Sequence, residues 1–314
     1  MEKINITDIP GFQIGSAEDI DGGTGCTAIL CLNGAIASCD VRGGGPATRD
    51  TDLLDPRNTV EKVHGVLLSG GSAFGLEAGT GVMKYLSEKG VGLPVTEAVR
   101  VPIVVQADIF DLAVGKPVWP DVAMGYAAAL ASEANDFAHG NHGAGTGASV
   151  GKLLGPDKAS KSGLGTCAYR QGDLMVGAVL AVNACGEVFE MDTKNRLAGC
   201  QAPVTMEDMM IMDPGKNTTI GCVITNGKFT KAQMRKLASL AQNGMVRTIR
   251  PVNMTMDGDT MFAMTSDEVD AQLDVAGVLA VYAVAGAIET AVKSAEDAYG
   301  LKGCHDERDR TETE

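Results

Sequence analysis

Clusters of glycine recur along this chain and constrain its fold more than any other feature of the sequence. The 314 residues include 40 glycines, while aromatic residues make up only 4%. Glycine lets backbone segments approach closely and adopts turn conformations that other residues resist. Apolar residues still form 45% of the chain, which is enough for a large buried core. We therefore expect a turn-rich fold of mixed α and β structure, with helices lying tightly against sheets.

Short apolar segments bounded by turn residues predict strands in the first two-thirds of the chain. Residues 26–32 and 35–41 flank Asn33-Gly34, the dipeptide favoured by a two-residue type I′ turn, and this pattern predicts a hairpin. Apolar residues at helical spacing predict helices over 73–89 and 122–133. Further strands are predicted over 65–68, 101–106, 163–169 and 174–183.

The last third of the chain restarts a regular pattern after a long irregular segment. Residues 192–216 hold two prolines and a methionine-rich stretch, and predict a surface connection whose length invites a functional explanation. The pattern that follows predicts a strand over 218–225, a helix over 230–243, a strand over 261–264 and a helical stretch over 268–299.

The charge balance argues against nucleic acid and membrane partners. The chain has 26 basic and 40 acidic residues, a net charge of −14, which repels phosphate backbones and anionic membrane surfaces. The first residues lack a basic segment followed by an apolar one, and no unbroken run of about 18 apolar residues occurs. We therefore expect a cytoplasmic protein.

The glycine clusters and the histidines do not fit common phosphate, metal or serine-hydrolase motifs. Residues 143–153 depart from the P-loop pattern at two positions, and the fit of 143–148 to the dinucleotide fingerprint precedes only a short helix. Ser72 misses the nucleophile-elbow pattern by one position. No carboxylate or cysteine is spaced to complete a metal site with His139 and His142, so no metal is assigned.

Several longer motifs resemble the DmpA/P1 family of aminopeptidases, peptidase family S58, which are self-processing hydrolases of the N-terminal-nucleophile kind. Their order and spacing over residues 10–264 carry the resemblance, because each glycine-rich piece alone is unspecific. The motifs are DVRGGGPATRDTDLLDP (40–56), LLSGGSAFGL (67–76), VPIVVQADIFDL (101–112), GNHGAGTGASVGK (140–152), MVGAVLAVNACGEV (175–188) and NTTIGCVITN (217–226).

The resemblance implies an α+β fold, an αββα sandwich like that of ornithine acetyltransferases, forming a single catalytic domain over residues 1–314. Members of the family are made as precursors that cut themselves before a Ser or Thr. On this sequence the cut falls between Asn217 and Thr218, and gives an α chain of residues 1–217 and a β chain of residues 218–314. The resemblance also implies that no cofactor is needed and that the protein is a homo-oligomer, a tetramer of αβ units.

A nucleophile that is also an amino terminus works without histidine. A new α-amino group titrates near a pKa of about 7.7, so a useful fraction is an unprotonated base at neutral pH. The Thr218 hydroxyl would attack a substrate carbonyl to give an acyl enzyme, which water or another amine resolves. Before maturation it would attack the carbonyl of Asn217. Composition alone favours Thr218 as merely the first residue of a strand, and the resemblance reverses that interpretation.

The resemblance assigns further residues to the site around Thr218. Asn183 matches the α-chain asparagine whose side-chain amide helps to form the oxyanion hole. Asp257 and Asp259 fall where well-studied members have Ser and an acidic residue. Two carboxylates beside a terminal ammonium would raise the pKa of the amine unless one is protonated or turned away, so Asp259 is the preferred partner of the amine.

Substrate contacts are assigned to the glycine-rich motif, through Gly143, Gly145, Thr146 and Gly147. Relatives have a tyrosine that lines the site near positions 108–110, where this chain has none, so substrate preference does not carry across.

The primary hypothesis is a self-processed aminopeptidase, or a related amidase or esterase, acting on short peptides, amino-acid amides or esters. A second hypothesis is acyl transfer to an amine, as in ornithine acetyltransferases, which turnover of acetylornithine with glutamate would reveal. A third is an uncleaved, inactive binding subunit, which the departure at Asp257 keeps open and which an intact purified chain would favour.

Overall fold

The computed structural model describes residues 1–205 and 217–304. The strands are β1 Glu2–Ile4, β2 Gln13–Asp19, β3 Thr24–Val41, β4 Ala47–Arg49, β5 Lys62–Ser69, β6 Leu93–Pro94, β7 Arg100–Val101, β8 Val104–Asp108, β9 Ser149–Val150, β10 Ser160–Lys161, β11 Leu164–Gln171, β12 Leu174–Asn183, β13 Glu187–Phe189, β14 Arg196–Ala198, β15 Thr218–Gly227, β16 Ile249–Arg250 and β17 Thr260–Val269. The α-helices are α1 Ser72–Gly75, α2 Ala78–Glu88, α3 Val122–Ala131, α4 Lys231–Thr248 and α5 Leu273–Lys293.

The long strand β3 joins two halves of the main sheet. The strand order is β1-β11-β12-β15-β17-β3-β5-β8-β4, and β2 also pairs with β3. Residues 36–41 of β3 pair with β17, whereas residues 24–30 pair with β2 and β5. Ala35 and Ile36 also pair with β5. The two halves therefore stay hydrogen-bonded through one strand while their faces pack on each other.

Alternating residues of the strands build three apolar layers, because successive side chains point to opposite faces. The outer face of the β11-β12-β15-β17 half packs against α4 and α5, through residues such as Leu180 and Val284. The outer face of the β5-β8 half packs against α2 and α3. Between the halves lies a third cluster with Ile29, Val179 and Phe262. Each such fully buried side chain contributes about 1.5–3 kcal/mol. The expected αββα sandwich is confirmed.

Most predicted elements are present, but the predicted hairpin at Asn33-Gly34 is wrong. Residues 24–41 form one strand, in which the dipeptide is an irregularity between two segments paired with the same neighbour, β5. Gly34 has φ +76°, so the turn preference of glycine is used for a break in register. The real hairpin joins β2 to β3, and the tertiary pairing overrides the local turn signal.

The predicted C-terminal helix is a core element, and the predicted connection is only partly described. Helix α5 is long and apolar enough to cross a membrane, but 67% of its most apolar window is buried inside the protein. Of the predicted surface connection 192–216, residues 206–216 lie outside the described residues. The described part contains β14, which pairs with β13.

Candidate active site at the start of β15

A parallel strand pair brings together residues that are 40 positions apart in the sequence. Strands β15 and β17 are connected through α4 and run parallel, with Ile220 opposite Thr260. Parallel strands joined by a helical crossover start at the same edge of a sheet. Asp257 and Asp259, which precede β17, therefore lie beside Thr218 at the start of β15, and a further bridge links Asn217 to Asp257.

The hydroxyl of Thr218 lies against the carbonyl group of the preceding residue. Thr218 is 6% exposed, and its Oγ1 donates a hydrogen bond of 2.5 Å to the carbonyl oxygen of Asn217. The same carbonyl oxygen accepts a hydrogen bond of 3.0 Å from the backbone N–H of Gly258. A negative charge that develops on this oxygen would therefore meet a preformed donor, which is the arrangement of an oxyanion hole.

Gly258 leaves room for the Thr218 hydroxyl because it has no side chain. A Cβ at this position would lie 2.7 Å from Thr218 Oγ1, closer than carbon and oxygen approach without displacement. The sequence did not reveal this contribution, because a backbone N–H has no signature in side-chain chemistry. The signal available was a glycine between the two aspartates assigned to the site.

Asn183 is the register partner of Thr218 across the antiparallel pair β12–β15. Its Oδ1 accepts hydrogen bonds from the Ser149 N–H at 3.1 Å and from Lys152 Nζ at 2.6 Å. Its Nδ2 donates to the Phe110 carbonyl oxygen at 3.0 Å. These bonds fix the orientation of the Asn183 amide and use one of the two N–H groups on Nδ2. The predicted oxyanion role requires the second N–H group.

Lys152 is a site residue to which the sequence gave no role, although it ends the glycine-rich motif. Its ammonium group also donates to the Asn183 carbonyl oxygen at 3.1 Å. Burial lowers the pKa of Lys152 to about 7, although the nearby carboxylates of Asp257, Asp111 and Asp259 oppose this shift. A lysine with such a pKa is partly neutral at neutral pH and can accept a proton.

Asp257 and Asp259 form a buried carboxyl pair held by backbone donors. Asp259 accepts hydrogen bonds from the N–H of Thr219 at 2.5 Å and of Asn253 at 2.8 Å, and Asp257 accepts one from Met254 at 2.8 Å. Burial, followed by the charge of Asp257, raises the pKa of Asp259 to about 7, and burial also raises the pKa of Asp257. The pair therefore favours a state in which one carboxyl is protonated.

A cavity of about 490 Å³ opens beside the Asn217–Thr218 bond. Its polar lining comes from Asp111, Ser149, Lys152, Asp157, Cys185 and Asn217. Its remaining lining is largely apolar and comes from three segments, with Phe110 and Val114 in the first, Leu153, Leu154 and Pro156 in the second, and Tyr299 and Leu301 in the third. A tyrosine thus reaches the cavity from the C-terminal segment, whereas Phe110 stands in the region where relatives have theirs.

The four residues assigned to substrate contact do not line this cavity. Gly143, Gly145, Thr146 and Gly147 are buried beneath it. A Cβ on Gly147 would lie 2.2 Å from the Gly23 carbonyl oxygen, and one on Gly145 would lie 1.9 Å from the Leu164 nitrogen. These contacts are those of closely packed backbone segments, and direct contact of the four residues with substrate stays a prediction.

Known proteins that resemble this chain include an aminopeptidase and an oligomer endohydrolase. The family model described as Peptidase family S58 matches residues 5–305. An uncharacterised aminopeptidase of Mycobacterium leprae is 37% identical over 301 residues, which cover 85% of this chain and 80% of the relative. A 6-aminohexanoate-oligomer endohydrolase of a Kocuria species is 31% identical over 285 residues, covering 84% of this chain and 75% of the relative.

Solved structures share the fold at low sequence identity. The L-aminopeptidase D-Ala-esterase/amidase of Ochrobactrum anthropi, described as a variant of the Ntn-hydrolase fold, superimposes with a TM-score of 0.72 at 19% identity, over 93% of this chain and 86% of that one. A β-aminopeptidase of a Burkholderia species gives a TM-score of 0.70 at 17% identity, over 95% and 90%.

Proposed function

Because this chain belongs to peptidase family S58 and is a hydrolase of the aminopeptidase type, we propose that it matures by cutting itself between Asn217 and Thr218. Thr218, as the new amino terminus, then hydrolyses amide or ester bonds through an acyl enzyme. The observation that carries the proposal is the 2.5 Å hydrogen bond from the Thr218 hydroxyl to the Asn217 carbonyl oxygen, opposite Asn183.

Self-cleavage begins with attack of Thr218 Oγ1 on the carbonyl carbon of Asn217. The hydroxyl proton passes to a neighbouring base, for which Lys152 is suited because its pKa near 7 leaves a neutral fraction. The Gly258 N–H stabilises the oxyanion. The C–N bond then breaks, the Thr218 nitrogen takes up a proton as an amine, and water hydrolyses the resulting ester to release a carboxyl group on Asn217.

Turnover of substrate repeats the same chemistry with a different carbonyl group. The α-amino group of Thr218 removes the hydroxyl proton, and Oγ1 attacks the substrate carbonyl. The leaving amine or alcohol takes a proton, and water resolves the acyl enzyme. Asp259, bonded to the adjacent Thr219 N–H, is placed to orient the new amine, and a protonated carboxyl in the Asp257–Asp259 pair would keep the pKa of that amine from rising.

The cavity supports small substrates with an apolar group on the acyl side. Short peptides, amino-acid amides and esters fit this description. The relationship to 6-aminohexanoate-oligomer endohydrolases adds linear aliphatic amides, whose methylene chains suit apolar walls such as Leu153 and Leu301. We include both substrate classes in the proposal.

We also propose that the protein is a cytoplasmic homo-oligomer, a tetramer of αβ units. Apolar side chains that are 41% to 61% exposed project from the hairpin β6–β7, at Leu93, Val95 and Val99. Association of subunits would bury them, and the net charge of −14 supports solubility.

Two alternative functions, an acyl transferase and an inactive binding subunit, make different predictions. An acyl transferase would convert acetylornithine and glutamate to ornithine and acetylglutamate, whereas a hydrolase would release acetate or an amino acid into water. An inactive binding subunit would stay a single chain. Membership of a peptidase family favours hydrolysis over both.

Intact mass spectrometry of the purified wild type and of Thr218→Ala tests the proposal, together with hydrolysis of a panel of aminoacyl p-nitroanilides. We expect two fragments that meet at Asn217/Thr218 in the wild type and one full-length species in the variant. Thr218→Ser, which keeps the hydroxyl, should still be cut. A single uncut and inactive wild-type chain would reject the proposal.

A further inference from the structure

The cavity receives the part of the substrate that precedes its scissile carbonyl. Asn217 occupies the acyl side of the bond that Thr218 attacks during maturation, and Asn217 itself lines the cavity. A substrate carbonyl attacked by the same hydroxyl takes the place of the Asn217 carbonyl. Its acyl group therefore extends into the cavity, and the cavity walls select that group. This step rests on the proposed function.

One wall of the cavity is a tight turn near the C-terminus, Ala298-Tyr299-Gly300-Leu301. The backbone groups of Ala298 and Leu301 bond each other in both directions, at 3.1 and 2.9 Å. The two central residues have φ values of +54° and +79°, which a type I′ turn requires. A tyrosine pays about 1–3 kcal/mol for this conformation, and such strain persists only where surrounding contacts impose it.

Contacts on several sides hold the Ala298–Leu301 turn in this conformation. The Tyr299 hydroxyl donates a hydrogen bond of 2.6 Å to the carbonyl oxygen of Ile20, which is 279 positions away in the sequence. The Lys302 carbonyl oxygen accepts from the Lys161 N–H at 2.8 Å, and the Gly303 N–H donates to the Asp297 carboxylate at 2.7 Å. The turn is thus fixed at both ends and at its tip, so that the Tyr299 and Leu301 side chains form a rigid wall.

We propose that the Ala298–Leu301 turn determines substrate specificity, with Tyr299 and Leu301 limiting the size of an apolar acyl-side group. The hydroxyl of Tyr299 is engaged with Ile20, so its ring acts by shape and apolar contact. Phe110, Val114, Leu153 and Leu154 add apolar walls around the same space, whose lining also includes the carboxyl groups of Asp111 and Asp157. The preferred substrates carry a medium-sized aliphatic or aromatic group next to the scissile carbonyl.

The test compares kcat/KM on p-nitroanilides of glycine, alanine, leucine, phenylalanine and 6-aminohexanoate for cleaved wild type, Tyr299→Ala and Leu301→Ala. In both variants we expect the ratio of kcat/KM for phenylalanine over alanine to rise about 10-fold or more, because a methylene-sized change in an apolar pocket changes discrimination by about 10-fold to 200-fold. Self-cleavage of each variant, followed by mass spectrometry, reports that it folds.

Two controls separate the ring from other effects. Tyr299→Phe keeps the ring and loses the bond to Ile20, and its ratio should stay within about twofold of wild type. Tyr126→Ala removes a half-buried tyrosine that bonds Glu88 away from the cavity, and should leave the ratio unchanged. Unchanged ratios in cleaved Tyr299→Ala and Leu301→Ala would overturn the inference while leaving the proposed function intact.

A second readout does not depend on turnover. Calorimetry measures binding of 2-aminoethanol, leucinol and phenylalaninol to the cleaved proteins, because these amino alcohols carry the same side chains without a carbonyl group to attack. If the wild type hydrolyses no anilide, the proposed function fails for these substrates. The pocket is then judged on binding alone, where a wild-type preference for leucinol that shifts toward phenylalaninol in both variants supports it and identical profiles reject it.

Discussion

Thr218 and Asn183 are register partners across the antiparallel strands β15 and β12, so that the proposed nucleophile and the proposed oxyanion donor are set by one backbone pairing. Neither depends on a loop for its position. The hydrogen bonds of Asn183 to Ser149, Lys152 and Phe110 tie this pairing to the cavity wall.

Replacing Asn183 with Ala should lower kcat/KM of the cleaved enzyme about 100-fold to 1000-fold, because one oxyanion donor is lost. The measurement is anilide hydrolysis per mole of cleaved protein. Asn226→Ala is the matched control, since Asn226 bonds Met175 and Asp173 near the other end of the same strand pair. Activity of Asn183→Ala within threefold of wild type would exclude the oxyanion role.

Replacing Gly258 with Ala should slow self-cleavage about 100-fold, because the new Cβ would lie 2.7 Å from Thr218 Oγ1 and displace the hydroxyl from the Asn217 carbonyl. The rate is followed on gels after synthesis of the precursor in vitro. Gly45→Ala is the control, because the nearest neighbour of a Cβ at this position would be the Asp257 carbonyl oxygen at 3.9 Å. Equal rates for the two variants would contradict the proposed geometry.

The rate of self-cleavage should rise with pH through about 7 and level off above it, because Lys152 accepts a proton only when neutral and its pKa is lowered to about 7. Lys152→Met should remove this inflection and slow cleavage about 100-fold or more. In vitro synthesised precursor is transferred to buffers from pH 5.5 to 9, and the cut fraction is followed over time.

Lys231→Met provides the control for that profile. Lys231 is also a buried lysine, and its Nζ donates to the carbonyl oxygens of Leu53, Asn58 and Val60 far from the site. Its loss should lower Tm and leave the pH midpoint of cleavage in place. A midpoint that is unmoved in Lys152→Met as well would remove Lys152 from the mechanism.

The buried carboxyl of Asp259 should make stability fall as pH rises. Its pKa is raised to about 7 in the folded protein, against about 3.9 when unfolded. Between these values the folded state holds the proton more tightly, so the contribution of Asp259 to the free energy of unfolding decreases by up to about 1.4 kcal/mol per pH unit and stays constant above about pH 7. Urea denaturation of Thr218→Ala from pH 4.5 to 8 measures this.

Adding Asp259→Asn to the same uncut background should make that dependence less steep, because the amide does not titrate. Asp136→Asn, at an exposed position, should give a curve parallel to that of Thr218→Ala. If the curve of unfolding free energy against pH for Asp259→Asn is also parallel to that of Thr218→Ala, the Asp259 carboxyl is not the group that binds the proton.

The sequence predicted the elements that form through local periodicity and the residues that belong to a motif. Thr218 at the start of a strand and the helix after Thr230 follow from such signals, whereas the αββα sandwich was implied by the family resemblance. The hairpin at Asn33-Gly34 failed because pairing of both flanking segments with β5 outweighs the preference of two residues for a turn.

The remaining parts of the site depend on the tertiary structure. Gly258 contributes through its backbone N–H, and the role of Lys152 depends on burial that only the packed fold creates. Tyr299 and Leu301 reach the cavity from the end of the chain, more than 80 residues after Thr218, and no local pattern connects them with it.

The position of β15 in the sheet has a consequence for folding kinetics. A cut before Thr218 leaves β15 inserted between β12 and β17, while β17 remains paired with β3 from the other fragment. The fragments are interleaved and separate only when the whole domain opens. Renaturation then becomes a second-order encounter of two chains, slower at dilution, whereas the precursor folds as one molecule. Before cleavage, the precursor can unfold and refold reversibly. After cleavage, the native state would persist because its unfolding is slow.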